Sequence, residues 1–154
     1  MHFTTDAQRA CYERLLPWIQ DLYPDQVILH DALPIFIVPG GSAVAYVEVA
    51  AWGDDAMVRT WAYVVTGADL TAELMHYLLR QNAELPFGAF SLDEDGDIRF
   101  EHAIVGSTCD RKELQTSAEA VMRTADEFDD AIRSRAGGER AVERLGLVMP
   151  EASP

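Results

Sequence analysis

The chain has 154 residues, 49% of them hydrophobic, with 26 acidic against 12 basic residues and a formal net charge of −14. That length suits one domain with its own core, and that apolar content excludes a disordered chain. The charge argues against binding phosphate backbones, which needs clustered cations, and no Lys or Arg occurs between Arg14 and Arg59.

No apolar run approaches the roughly 20 residues of a membrane-spanning helix. The N-terminal MHFTTDAQRA lacks the basic-then-apolar order of a secretory signal. The expected compartment is therefore the cytoplasm, with neither membrane nor nucleic acid among the partners. Cys11 and Cys109 lie in no metal spacing and read as free thiols.

Asp6 to Leu22 reads as a first helix capped by Thr5 or Asp6, with Cys11, Leu15, Trp18, Ile19 and Leu22 on one stripe. Pro17 inside that pattern predicts a kink or two pieces. Val27 to Leu29 favours a strand that Asp31 and Pro34 stop quickly. Ile35 to Val38 is the first secure strand, closed by Pro39-Gly40-Gly41. Ser42 to Trp52 is the second. Its Ala45, Val47, Val49 and Ala51 face is the more uniformly apolar and is expected inside. Ala56 to Val65 is the third, placing Trp61 and Tyr63 near Tyr46 across the pair.

A helix follows, capped by Asp69 or Thr71, with Leu74, Met75, Leu78, Leu79 and Ala83 at helical spacing. Pro86 ends it. Phe90 to Leu92 leads into Asp93-Glu94-Asp95-Gly96-Asp97, where Asp-Gly predicts a tight hairpin turn. Ile98 to Val105 alternates as a strand. Asp110 caps a long helix, about Arg111 to Ala136, whose Leu114, Ala118, Val121, Ala125, Phe128 and Ile132 form a seam. That seam suits packing on the sheet or on a second subunit. Gly137-Gly138 stops it, and Glu139 to Leu145 reads as one more short helix.

The order is helix, three strands, helix, two strands, helix, which defines an α+β fold with an antiparallel sheet and flanking helices. Residues 1–138 are expected to form a single domain, with 139–154 as a C-terminal tail.

This order, with Asn82-Ala83-Glu84-Leu85-Pro86-Phe87-Gly88-Ala89-Phe90, resembles the YbjN-type domains of bacteria, which are related in fold to the type III secretion chaperones. The resemblance runs on through Asp93-Glu94-Asp95-Gly96-Asp97-Ile98 to Ala125-Asp126-Glu127-Phe128-Asp129-Asp130 and covers about Ala43 to Ile132. It implies a small acidic domain, often a homodimer, that binds a protein client rather than transforming small molecules. It identifies no client.

Two groups of residues are candidates for such contacts. Tyr46, Trp52, Trp61 and Tyr63 form a protein-binding surface if their sheet face is bare, or core if the first helix covers them. Met75, Leu78, Leu79 and Phe128 serve either a dimer contact or the core.

The residues offer little for catalysis. From Asp93, Gly96 is fourth and Ile104 twelfth, so the acidic turn fails the calcium-loop pattern. His2, His30, His76 and His102 show no ligand spacing. Ser42 lacks a nucleophile elbow. No catalytic residue, metal or cofactor is expected. The competing readings are a ligand-binding sensory domain with an enclosed cavity, and an enzyme using Cys109 with His102.

Overall fold

The protein is described here by a computed structural model covering residues 1–141 of the 154. Helix α1 (Asp6–Leu22) leads into β1 (Ile28–Leu29), β2 (Ile35–Gly40), β3 (Ala43–Trp52) and β4 (Asp55–Thr66). Then come α2 (Ala72–Glu84), β5 (Ala89–Leu92), β6 (Ile98–Val105), α3 (Arg111–Ala136) and β7 (Glu139–Arg140). The strands form one antiparallel sheet in the order β1-β2-β3-β4-β6-β5, with β7 added against the end of β4.

The sheet is built on the β3–β4 hairpin, where Ala45 pairs with Ala62, Val47 with Thr60 and Val49 with Val58. These residues share one face with Phe36, Val38, Ile98 and Phe100, and all are fully buried. Helix α1 lays Cys11, Tyr12, Leu15 and Ile19 on one half of this face, joined by Leu114 of α3. Helix α3 lays Val121, Ala125 and Ile132 on the other half, where Leu74 and Leu78 of α2 also pack. The seam of α3 is thus satisfied largely within the chain.

Local chemistry fixes the helix starts. Thr5, Thr71 and Asp110 each accept a hydrogen bond from a first-turn N–H, and Asp110 with Glu113 forms a full capping box. Helix α1 is one element rather than two. Pro17 and Glu13, the residue whose carbonyl Pro17 leaves without an N–H, are both exposed, so water reaches the gap.

Three differences from the sequence reading stand out. The turn after β5 is not a two-residue one, because Leu92 pairs with Ile98 and residues 93–97 form the loop. The Asp93 carboxylate closes it, accepting from the N–H groups of Asp95 and Asp97. Glu139 and Arg140 form a strand, so the sheet extends past residue 138, and Ala141, the last described residue, is helical, so the helix expected over Glu139 to Leu145 does not begin before Ala141. The remainder of the expected tail, residues 142–154, lies outside the described residues. The fragment at Val27–Leu29 survives only as two paired residues of β1.

The Asn82-to-Gly88 segment has a clear mechanical role. Asn82 accepts from the Phe90 N–H at 2.6 Å and donates to the Phe90 carbonyl at 3.3 Å, fixing α2 to the edge strand. Gly88 holds φ +78°, and a Cβ there would meet the Glu101 carbonyl at 2.7 Å. Asn82→Ala removes both bonds and leaves the β5 backbone unsatisfied, which costs about 1–3 kcal/mol. Urea denaturation should show a lower midpoint with an unchanged slope.

Candidate functional site

Because α1 and α3 share one side of the sheet, no described helix packs on the other. Strand alternation places Tyr46, Glu48 and Ala50 of β3 there, with Met57, Arg59, Trp61 and Tyr63 of β4. Ile35 and Ile37 extend this face on β2, and Arg99, Glu101, Ala103 and Val105 extend it on β6.

Tyr46 and Trp61 are register partners whose rings stack at 5.5 Å between centroids and 15° between planes. The Arg59 guanidinium lies 5.4 Å from the Trp61 ring centroid and pairs with Glu48 at 2.7 Å. Arg99 and Glu101 pair at 3.7 Å. Two cations and two anions therefore neutralise one another on this face, although the chain carries −14 overall. Tyr63 donates its hydroxyl to Asp93 at 2.9 Å. Burial and that carboxylate raise the Tyr63 pKa, and burial raises that of Tyr46, so both phenols stay neutral. Trp52 stands at the hairpin end of the same face and is 61% exposed.

The structure thus puts all four residues, Tyr46, Trp52, Trp61 and Tyr63, on the helix-free face, and none of them under α1. Met57, Ala103 and Val105 also belong to this surface. Period two along β4 sets Met57 on the side of Trp61, whereas the β6 residues join it through the β4–β6 register, Met57 with Val105 and Arg59 with Ala103.

The residues proposed for self-association separate. Leu78 is buried in the chain's own core, and Met75 and Phe128 are partly buried against it. Phe128 also meets the Phe90 ring edge-on at 5.2 Å. Leu79 points outward and is 68% exposed.

A second feature lies at the far edge of the sheet. β5 pairs only as far as Glu101, so among the described strands β6 has no partner on that side from His102 to Val105. Beside this edge is a cleft of about 380 Å³, lined by Phe87, His102, Ile104, Lys112, Glu113 and Thr116. His102 Nδ1 sits 2.9 Å from the Ser117 hydroxyl, and its ring meets Phe87 edge-on. Desolvation lowers its pKa, opposed by Glu113.

The thiols are arranged for packing. Both are buried and unpaired. The Cys109 Sγ contacts the Asp110 carbonyl and the Cys11 Sγ that of Gly106. Burial raises the Cys11 pKa and pushes that of Cys109 to about 12. His102 is bonded to Ser117 rather than to Cys109. Among the described residues no group of three or more His, Cys, Asp and Glu side chains is placed to hold a metal ion. No helix there is long and apolar enough to cross a membrane.

Chains of known structure share this fold. One in the HopA1–SchA chaperone–effector complex is 10% identical, with a TM-score of 0.63, covering 82% of this chain and 98% of that one. One in the ExsC–ExsE complex is 13% identical, with a TM-score of 0.63 and coverages of 84% and 97%. One in the complex of the Yersinia pestis type III secretion chaperone SycH with a stable fragment of YscM2 is 13% identical, with a TM-score of 0.54 and coverages of 76% and 98%. The fold is therefore that of the type III secretion chaperones.

The family follows from the sequence itself. Residues 14–144 match the family model described as "T3SS (YopN, CesT) and YbjN peptide-binding chaperone 1" (TY-Chap1), and the chain belongs to that family. Among curated proteins no sequence matches this chain.

Two outcomes follow from the titrating groups. Both thiols should react slowly with Ellman's reagent at pH 8 in the native protein and fully once it is denatured. A fast-reacting native thiol would contradict the burial described. For His102 the folded pKa lies below the ordinary 6.5. The unfolded chain therefore takes up the proton first, and stability present above 6.5 is lost as pH falls below it. Urea unfolding at pH 7.5 and 5.5 should show this loss, and His102→Gln should lessen it.

Proposed function

We propose that this protein is a non-enzymatic peptide-binding chaperone that acts in the cytoplasm as a homodimer. On this reading it holds an extended apolar segment of a protein client against the helix-free sheet face. The observation that carries the reading is the stacked Tyr46–Trp61 pair on a neutral face that no described helix covers. Trp and Tyr give large contact area with few rotors to immobilise, which suits them to recognition. The acidic remainder of the surface keeps a complex with an apolar client soluble by self-repulsion.

The unpaired edge of β6 supports the same reading. It offers free backbone N–H and C=O groups to an extended segment, and the cleft beside it accepts an apolar side chain. Buried, protonated thiols favour binding over thiol chemistry. Self-association is assigned to α2 through Leu79, the most exposed large apolar side chain of that helix, with Met75 beside it.

Pull-down from the source cell's lysate with cross-linking and mass spectrometry tests the client reading. A recurrent partner linked near Trp61 is expected, and Trp61→Ala should weaken its capture by about 2 kcal/mol, roughly 30-fold, while the protein stays folded. Only self-cross-links across repeated preparations would defeat it. For the dimer, Leu79→Asp should shift sedimentation to the monomer without loss of helical signal. A wild-type chain that sediments as a monomer at all concentrations would remove the dimer.

A further inference from the structure

Exposed apolar side chains gather at the edge of the sheet opposite the cleft. Strand β1 is the edge strand there, paired on one side with β2 and with no described strand on the other. Ile28 is 56% exposed, Leu29 40% and Leu33 50%, so three of the ten exposed large apolar side chains among the described residues fall in this one short segment.

The register sets what this edge offers. Ile28 pairs with Ile37 and Leu29 with Phe36, and the His30 N–H donates to the Ile35 carbonyl at 3.1 Å. His30 thus turns its backbone groups toward β2. Because that direction alternates along an antiparallel pair, Ile28 also turns inward and Leu29 turns outward. The Leu29 N–H and C=O bond no described group of the chain, and they are open to an added strand. Side chains alternate as well. Leu29 follows Phe36 and Val27 to the helix side, where Val27 packs on the core, and Ile28 follows Ile37 to the helix-free side. Residues of an added strand would therefore meet an apolar neighbour on both faces of the sheet.

The charges around β1 have one sign. From Leu15 to Val58 the chain holds no Lys or Arg. Asp25 lies three residues before β1 and Asp31 two after it. Both are exposed, and neither is ion-paired among the described residues. The aromatic face differs, because its anions already have cations. An apolar edge between unpaired carboxylates is complementary to a strand flanked by cations. A second copy of this chain fits poorly, since it would bring the same two carboxylates to the contact.

We propose that the β1 edge is a docking surface for an extended segment of another protein, apolar at its centre, where its backbone bonds Leu29, and carrying Lys or Arg on both sides, where Asp25 and Asp31 receive them. This surface is separate from the aromatic face and does not rest on the client reading above.

Fluorescence anisotropy at low ionic strength tests it with two labelled, end-blocked peptides, Lys-Lys-Val-Ile-Val-Ile-Lys-Lys and the same core with Glu in place of every Lys. The basic peptide should bind about tenfold more tightly than the acidic one. Leu29→Pro removes the outward N–H and no ladder bond, and should weaken the basic peptide by about tenfold with the circular dichroism spectrum unchanged. Asp25→Asn/Asp31→Asn should remove the preference for the basic peptide, and Asn suits the φ of +62° at Asp25. That variant decides the matter if the proline variant misfolds. Glu94→Gln/Asp95→Asn, an equal change of charge near the opposite edge, should leave binding unchanged, as should Trp61→Ala. Equal affinity of the wild-type chain for both peptides would overturn the proposal. So would an equal loss in both charge variants, which would mean general attraction to an acidic chain. Loss of binding in Trp61→Ala would overturn it by seating the peptide on the aromatic face. Dimerisation that Leu29→Pro abolishes would do so by giving the edge to a second copy. Client capture depends on Trp61 and binding at β1 does not, so the two readings succeed or fail separately.

Discussion

The alternation of the β3–β4 hairpin is the constraint on which the molecule depends. Ala45, Val47, Val49, Ala56, Val58 and Ala62 make one face small, apolar and smooth, a surface on which two helices can lie side by side. Tyr46, Glu48, Arg59 and Trp61 make the other face bulky, aromatic and charged. Period two forces both faces to exist as soon as either does. Once α1 and α3 take the smooth face, the aromatic face is left to something other than the chain's described helices.

Electrostatics reinforce that division. Carboxylates dominate the helix exteriors and the turns, while the aromatic face carries its charges as the pairs Arg59–Glu48 and Arg99–Glu101. Such partly exposed pairs contribute little stability. Their effect is to leave a nearly neutral surface on an acidic protein, so that an apolar segment meets no uncompensated charge. The chain's membership of a peptide-binding chaperone family agrees with such a surface, and the fold it shares with type III secretion chaperones places the helices on the same architecture.

The chemistry-bearing side chains have structural work. Asp93 closes a loop and receives the Tyr63 hydroxyl, His102 joins β6 to α3 through Ser117, and both thiols pack beneath α1 and α3. Each would look like a candidate for catalysis in isolation. In this fold each has bonding or packing partners of its own.

The sequence by itself determined the α+β class, the order of the main elements, the Asp110 cap and the inward face of β3, and it narrowed the other two caps to Thr5 or Asp6 and Asp69 or Thr71. These follow from period, capping chemistry and Gly and Pro placement, all of which act within a few residues. It also showed that Tyr46, Trp61 and Tyr63 come together, because hairpin register is a local property. Tertiary structure alone decided that no described helix covers this face, since coverage depends on where helices distant in sequence come to rest. It likewise separated Leu78 from Leu79. One helical step of about 100° takes a leucine from core to solvent, and the sequence shows the stripe but not its exact bearing on the sheet. The two-residue strand β7 was invisible for a related reason: Glu139 and Arg140 carry no strand signal, and only the neighbouring strand makes them part of the sheet.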